Sequence, residues 1–208
     1  MSIVTYNNRS IANISAVPGA AKSLTHIKTL TADGSGTSLT FVNGSSDVVL
    51  DSTYPIYLFK FINCHPATNT QEFRFNMSAD TGSNYNVTKT TSVFTASTDE
   101  SGGNTGVAYA SGSDIAQGTG DQAISVVTGN DNDACTSGEL FIFNPSSTTF
   151  VKHFLANSST YRSDIQMNYN WFAAGYGNTT SAVDAIRFNF ASGNIDAGTI
   201  KLYGIKDS

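Results

Sequence analysis

Short runs in which apolar and polar side chains alternate with a period of two recur along this 208-residue chain, and turn residues close each of them. A period of two belongs to strands, because successive side chains of a strand point to opposite faces. Runs at 24–30, 39–42, 54–62, 72–77, 87–95, 123–128, 139–143, 149–155, 169–176, 185–190 and 199–205 fit it. In 72–77, Phe73, Phe75 and Met77 share one face and Glu72, Arg74 and Asn76 the other. In 185–190, Ile186, Phe188 and Phe190 point inward and Arg187 and Asn189 outward. Residues 54–62 are mostly apolar on both faces, with Tyr57, Phe59 and Phe61 opposed to Ile56, Leu58, Lys60 and Ile62, so they predict a central strand or one covered by a loop or a subunit. Thr-rich 87–95 reads as an edge strand. Asn43-Gly44 predicts a hairpin turn, and Asn144-Pro145-Ser146-Ser147 predicts another. Gly198 and Gly204 mark the two ends of a closing strand expected to sit inside a sheet. Gly/Ser/Asp-rich 97–121 reads as a long exposed loop with room for one short strand. With ten to twelve strands, no amphipathic helix and no fixed repeat, the chain is expected to be all-β: a two-sheet β-sandwich over 23–208, preferably a jelly roll.

Residues 1–22 differ. Ile3, Val4, Ile11, Ile14 and Val17 precede Pro18-Gly19, and the spacing of Ile11 and Ile14 allows one helical turn. They read as an N-terminal arm that docks on the domain, on a neighbouring subunit or on an underlying shell. The opening residues have neither the basic nor the apolar region of a secretory signal. No apolar run approaches the ~20 residues of a membrane span.

Only 13% of residues are charged, the net charge is −5, and the Lys and Arg residues are scattered singly. Tracking a phosphate backbone takes concentrated positive charge, so this composition argues against nucleic acid as a partner. Cys64 and Cys135 read as free thiols, since nothing marks a secretory context. His26, His65 and His153 read as strand residues without a nucleophile partner, and no G-x-S-x-G elbow occurs. Glu72, Glu100 and Glu139 are the three glutamates from which a glycosidase pair would be drawn. Asp121, Asp131 and Asp133 are candidates for a Ca²⁺ site, and Cys64, His65 and Cys135 for zinc, though neither set has the spacing of an EF-hand or paired Cys-x-x-Cys ligands. The preferred expectation is no catalytic residue, no metal and no cofactor. Trp171, Tyr161, Tyr169, Tyr176 and Tyr203 offer either a sugar-stacking platform or an interface, with core packing expected for Trp171 in its apolar surroundings.

The C-terminal third contains Ser137-Gly-Glu-Leu-Phe-Ile-Phe-Asn-Pro-Ser-Ser147, Ala185-Ile-Arg-Phe188 and the closing Gly198-Thr-Ile-Lys-Leu-Tyr-Gly-Ile-Lys206. These segments, with the opening Tyr6-Asn-Asn-Arg-Ser10, resemble structural proteins of tailed bacteriophages, particularly those of marine cyanophages. The resemblance implies a virion protein with a β-sandwich fold, made in the host bacterial cytoplasm and assembled as a homo-oligomer, often a trimer. It implies a capsid decoration (cement) protein or a tail component in contact with the major capsid or tail proteins. A receptor- or glycan-binding module of a fibre, recognising a host surface glycan through 97–121, is the alternative. The resemblance carries no catalytic residues, and head is not distinguished from tail.

Overall fold

A computed structural model describes residues 23–206; the arm proposed for 1–22, with its turn at Ile11 and Ile14, lies outside the described residues. Twelve strands form two antiparallel sheets: β1 (Leu24–Thr31), β2 (Ser38–Val42), β3 (Ile56–Pro66), β4 (Gln71–Ser78), β5 (Lys89–Asp99), β6 (Thr105–Tyr109), β7 (Gln122–Thr128), β8 (Thr136–Phe143), β9 (Lys152–Arg162), β10 (Met167–Gly177), β11 (Ala185–Phe190) and β12 (Ile195–Ile205). The larger sheet runs β1-β12-β3-β8-β9-β10-β5-β6 and the smaller β2-β11-β4-β7.

Four antiparallel pairs, β1 with β12, β2 with β11, β3 with β8 and β4 with β7, fall alternately in the larger and the smaller sheet. That winding is an eight-stranded jelly roll. Two hairpins are inserted into it: β5-β6 between β4 and β7, and β9-β10 between β8 and β11. All four inserted strands continue the larger sheet outward from β8, giving eight strands on one side against four on the other.

The inward positions read in 72–77 and 185–190 are all buried in the core. Phe188 lies at its centre, with its ring 5.4 Å from Phe59, 5.9 Å from Phe73 and 6.2 Å from Phe41. All four rings are fully buried. Phe59 comes from the larger sheet and the other three from the smaller, so this cluster is where the layers are joined. Tyr57 closes the rim: its hydroxyl donates to the Asp51 carbonyl and accepts from the Asp51 amide, each at 3.0 Å. Burial pushes that phenol up to about 12.

Four local expectations are corrected by the topology. Residues 87–95 belong to β5, which is flanked by β10 and β6, so the edge is β6. Asn43-Gly44 turns the chain but makes no hairpin, because β2 and β3 lie in different sheets. Gly198 does not end the last strand; it lies within β12 at a register shift with φ +126°, where a Cβ would come within 2.7 Å of the Cys64 backbone. Asn76 points outward from its sheet as expected, yet it is fully buried beneath loops.

Truncating Phe188 to alanine removes the shared partner of those rings and leaves a cavity between the sheets. Phe188→Ala is expected to lower the unfolding free energy by about 3–5 kcal/mol, measured by urea unfolding of the full chain; a loss below about 1 kcal/mol would contradict this account of the core.

Candidate interaction surface

The inserted hairpins leave the outer face of the larger sheet apolar. The register sets its outward side chains in rows across the strands. One row reads His26, Tyr203, Leu58, Phe141, Leu155, Ala174, Ser92. The next reads Thr29, Lys201, Lys60, Glu139, Asn157, Phe172, Phe94, Tyr109. The first row has no Lys, Arg, Asp or Glu, and in the second the only charges are Lys201, Lys60 and Glu139 on neighbouring strands. Phe94 and Phe172 stack at 4.7 Å between ring centres. Leu155 is 50% exposed and Phe94 47%.

Ala174 and Ser92 are small, and the larger Phe141, Leu155, Phe172 and Phe94 stand around them. The result is a groove of about 300 Å³, continued past His153 and Tyr176 by a second, more open depression of about 510 Å³. Water against such a surface is unfavourable by roughly 25 cal/mol for each Å² of apolar area. Contiguous apolar patches on soluble proteins mark places where something else packs.

The opposite side of the sandwich is polar and closed. On the outer face of the smaller sheet, Asp121 accepts from Asn76 Nδ2 at 2.7 Å, from the Arg187 guanidinium at 2.9 Å and from Asn189 Nδ2 at 3.0 Å. Burial alone would raise this carboxyl, but the donors around it outweigh burial and hold it below the usual carboxylate range. The Arg187 guanidinium also lies 4.6 Å over the ring of Tyr85. Lys89, fully buried, donates to Asn76 Oδ1 at 2.6 Å and to the Val87 carbonyl at 2.8 Å. With no carboxylate bonded to its ammonium group, burial lowers its pKa to about 8. The cluster pins residues 79–88 and 111–121 over the sheet, which accounts for the burial of Asn76.

The chemically reactive candidates are dispersed. Asp121 belongs to that cluster, while Asp131 accepts from Ser163 on another part of the surface and Asp133 is exposed, so the three do not form a calcium site. Cys64 is buried and its thiol pushed up to about 12, Cys135 is half-buried, and both are free. His65 donates through Nε2 to the Asp131 carbonyl and has Nδ1 3.3 Å from Asp196. Among the described residues no three His, Cys, Asp or Glu side chains gather as metal ligands. Glu72 pairs with Arg74, and Glu139 faces outward from the other sheet. Trp171 is buried, with its indole N–H donating to the Ala123 carbonyl at 3.1 Å, so it cannot stack on a sugar. Tyr161, Tyr169, Tyr176 and Tyr203 are half-buried and spread over several strands. His26 and His153 lie on the outer face, at van der Waals range of Tyr203 and Tyr176.

Comparison of the chain with protein-family models, with curated proteins and with solved structures found no match. The groove residues Phe94, Phe141, Leu155 and Phe172 were not singled out by sequence reasoning. The signal for them is the unbroken apolar stretch Leu140-Phe141-Ile142-Phe143, which a half-exposed strand does not need.

Lys89 supplies a test of the closed side. Its folded pKa lies below its unfolded one, so below pH 8 the charged amine carries the whole burial penalty, and stability rises as the folded state sheds its proton first. From pH 7 to pH 9 the chain is expected to gain about 1 kcal/mol relative to Lys89→Met, which has nothing to titrate there. Parallel unfolding curves across that range would refute the assignment. The comparison with the variant cancels the opposite trend from Cys64, whose contribution fades as pH rises above 9.

Proposed function

We propose that the chain is a structural protein of a bacteriophage virion, a capsid decoration or tail component that works by packing against copies of itself and against the major capsid or tail protein. The observation that carries this reading is the apolar outer face of the larger sheet. The chain adds two hairpins to a complete jelly roll, and their outward side chains include Phe94, Leu155 and Phe172, which an isolated domain has no reason to expose. The sequence resemblance in 137–206 points the same way, and jelly rolls serve viral shells, although they serve lectins as well. The low charge suits close packing of like subunits, since few ionic groups need to be desolvated on assembly. On this reading the protein is a homo-oligomer, with a trimer the preferred state, and has no catalytic role, no cofactor, and neither a nucleic-acid nor a membrane partner.

Glycan binding remains the second reading, favoured by one observation: Tyr109 is exposed on β6, with its hydroxyl donating to Asp114 at 2.7 Å in the arrangement of a ring held for stacking. A glycan array with the isolated protein decides it, and absence of binding removes it.

The principal test is of assembly. Sedimentation of the full chain is expected to show an oligomer, and Leu155→Asp with Phe172→Asp is expected to give a folded monomer with an unchanged far-ultraviolet spectrum. Immunogold against the C-terminus on particles from infected cells is expected to decorate virions. A wild-type monomer at high concentration, together with unlabelled particles, would defeat the proposal.

A further inference from the structure

The two edges of the larger sheet are not alike. β1 carries His26 and Lys28 with a register shift between them, devices that discourage another strand from adding. β6 has none. Its residues Thr105, Gly106, Val107, Ala108 and Tyr109 include no charge and no proline, and its register with β5 is unbroken. Val107 is 77% exposed and Tyr109 58%.

The hydrogen bonds show which backbone groups are free. The Ala110 amide donates to the Val93 carbonyl and the Asp99 amide to the Asn104 carbonyl. Bonded pairs alternate with unbonded ones in an antiparallel ladder. Gly106 and Ala108 therefore face β5, while the N–H and C=O groups of Thr105, Val107 and Tyr109 point away from the sheet. Among the described residues, no strand pairs with them.

We infer that β6 accepts a ninth strand, formed by residues 2–6 of a second copy of this chain. Ile3, Val4, Thr5 and Tyr6 are β-branched or aromatic and uncharged, the composition that fits a pleated edge. Charge complements this. Residues 1–22 contain Arg9 and Lys22 and no acid, whereas residues 23–206 carry nine basic and fifteen acidic side chains. Asp99 ends β5, Glu100 opens the turn before β6 and Asp114 lies just beyond β6, within reach of Arg9 once residues 3–6 are paired. Two β6 strands paired about a two-fold axis would instead set the Asp99–Glu100 turn of one copy against Asp114 of the other. The arm joins the domain at Ser23, beside β1 at the far edge, seven strand spacings or about 34 Å away. To serve its own β6 it would have to cross the apolar outer face. The choice of a second copy thus rests on the assembly proposed above, which gives that face to neighbouring subunits.

Hydrogen exchange of the full chain, at concentrations where it is oligomeric, tests the inference. The amides of Val107 and Tyr109 are expected to exchange at least tenfold more slowly in the full chain than in a variant lacking residues 2–6. Val107→Pro removes an outward N–H and leaves the ladder to β5 intact. Adding Val107→Pro, whose arm is whole, to the arm-deleted variant is expected to restore protection at Val107 and Tyr109 of the latter. Protection that persists in the deletion variant would mean that β6 pairs with something else, and would overturn the inference. Protection in the full chain that the mixture fails to restore would mean a strand from the same chain, and would also overturn it. An oligomer whose β6 amides exchange freely would remove the added strand while leaving the assembly proposal standing; a chain that never oligomerises would remove both.

Discussion

An eight-stranded sheet with apolar side chains on both faces needs a cover on each, and within the described residues this chain provides one. The smaller sheet lies over the inner face through the ring cluster at Phe188, where four buried aromatics from three strands of one sheet and one of the other meet. Burying side chains of this size is the dominant favourable term in a fold of this kind. Once that face is sealed, the outward side chains Phe141, Leu155 and Phe172, from two neighbouring rows, have nothing of their own to pack against among the described residues. The extra area comes from the two inserted hairpins, so what makes the sheet large enough to be an assembly surface is not what makes the domain fold.

The polar half of the molecule is arranged in the opposite way. Above the smaller sheet Asp121 accepts from Asn76, Arg187 and Asn189, and the cluster holds two connecting segments down on it. A carboxylate so fully occupied by donors is a poor acid or base. Lys89 is shifted mainly by burial, and its ammonium group donates to two amide oxygens. The cluster is better understood as what lets loop backbone lie over a sheet face that would otherwise be wet, and it leaves the larger sheet as the face available to partners.

The fold was largely legible. Strict alternation in 72–77 and 185–190 assigned Phe73, Phe75, Ile186 and Phe188 to the core, and each is buried there. The largely apolar character of both faces of 54–62 predicted a central strand or a covered one, and β3 is flanked on both sides. The interaction surface was not read in advance, because its residues come from β5, β8, β9 and β10 and meet only through register. Residues 87–95 looked like an edge because threonines pack less apolar area than Val or Ile, and only the later hairpin strand β6 makes β5 internal.

Local periodicity is a property of neighbours along the chain, so the sequence by itself determined that this protein is a two-sheet sandwich and which side faces in where alternation is strict, as in 72–77 and 185–190. Which strands lie side by side depends on pairings between residues far apart in sequence, and no local signal encodes them. Asn76 shows the difference: alternation correctly turned it away from the core, yet it is buried, because Asp121 and the loops around Tyr85 and Thr119 close over it. The same holds for the outer face of the larger sheet, whose apolar patch exists only because tertiary pairing sets β8, β9, β10 and β5 side by side in register.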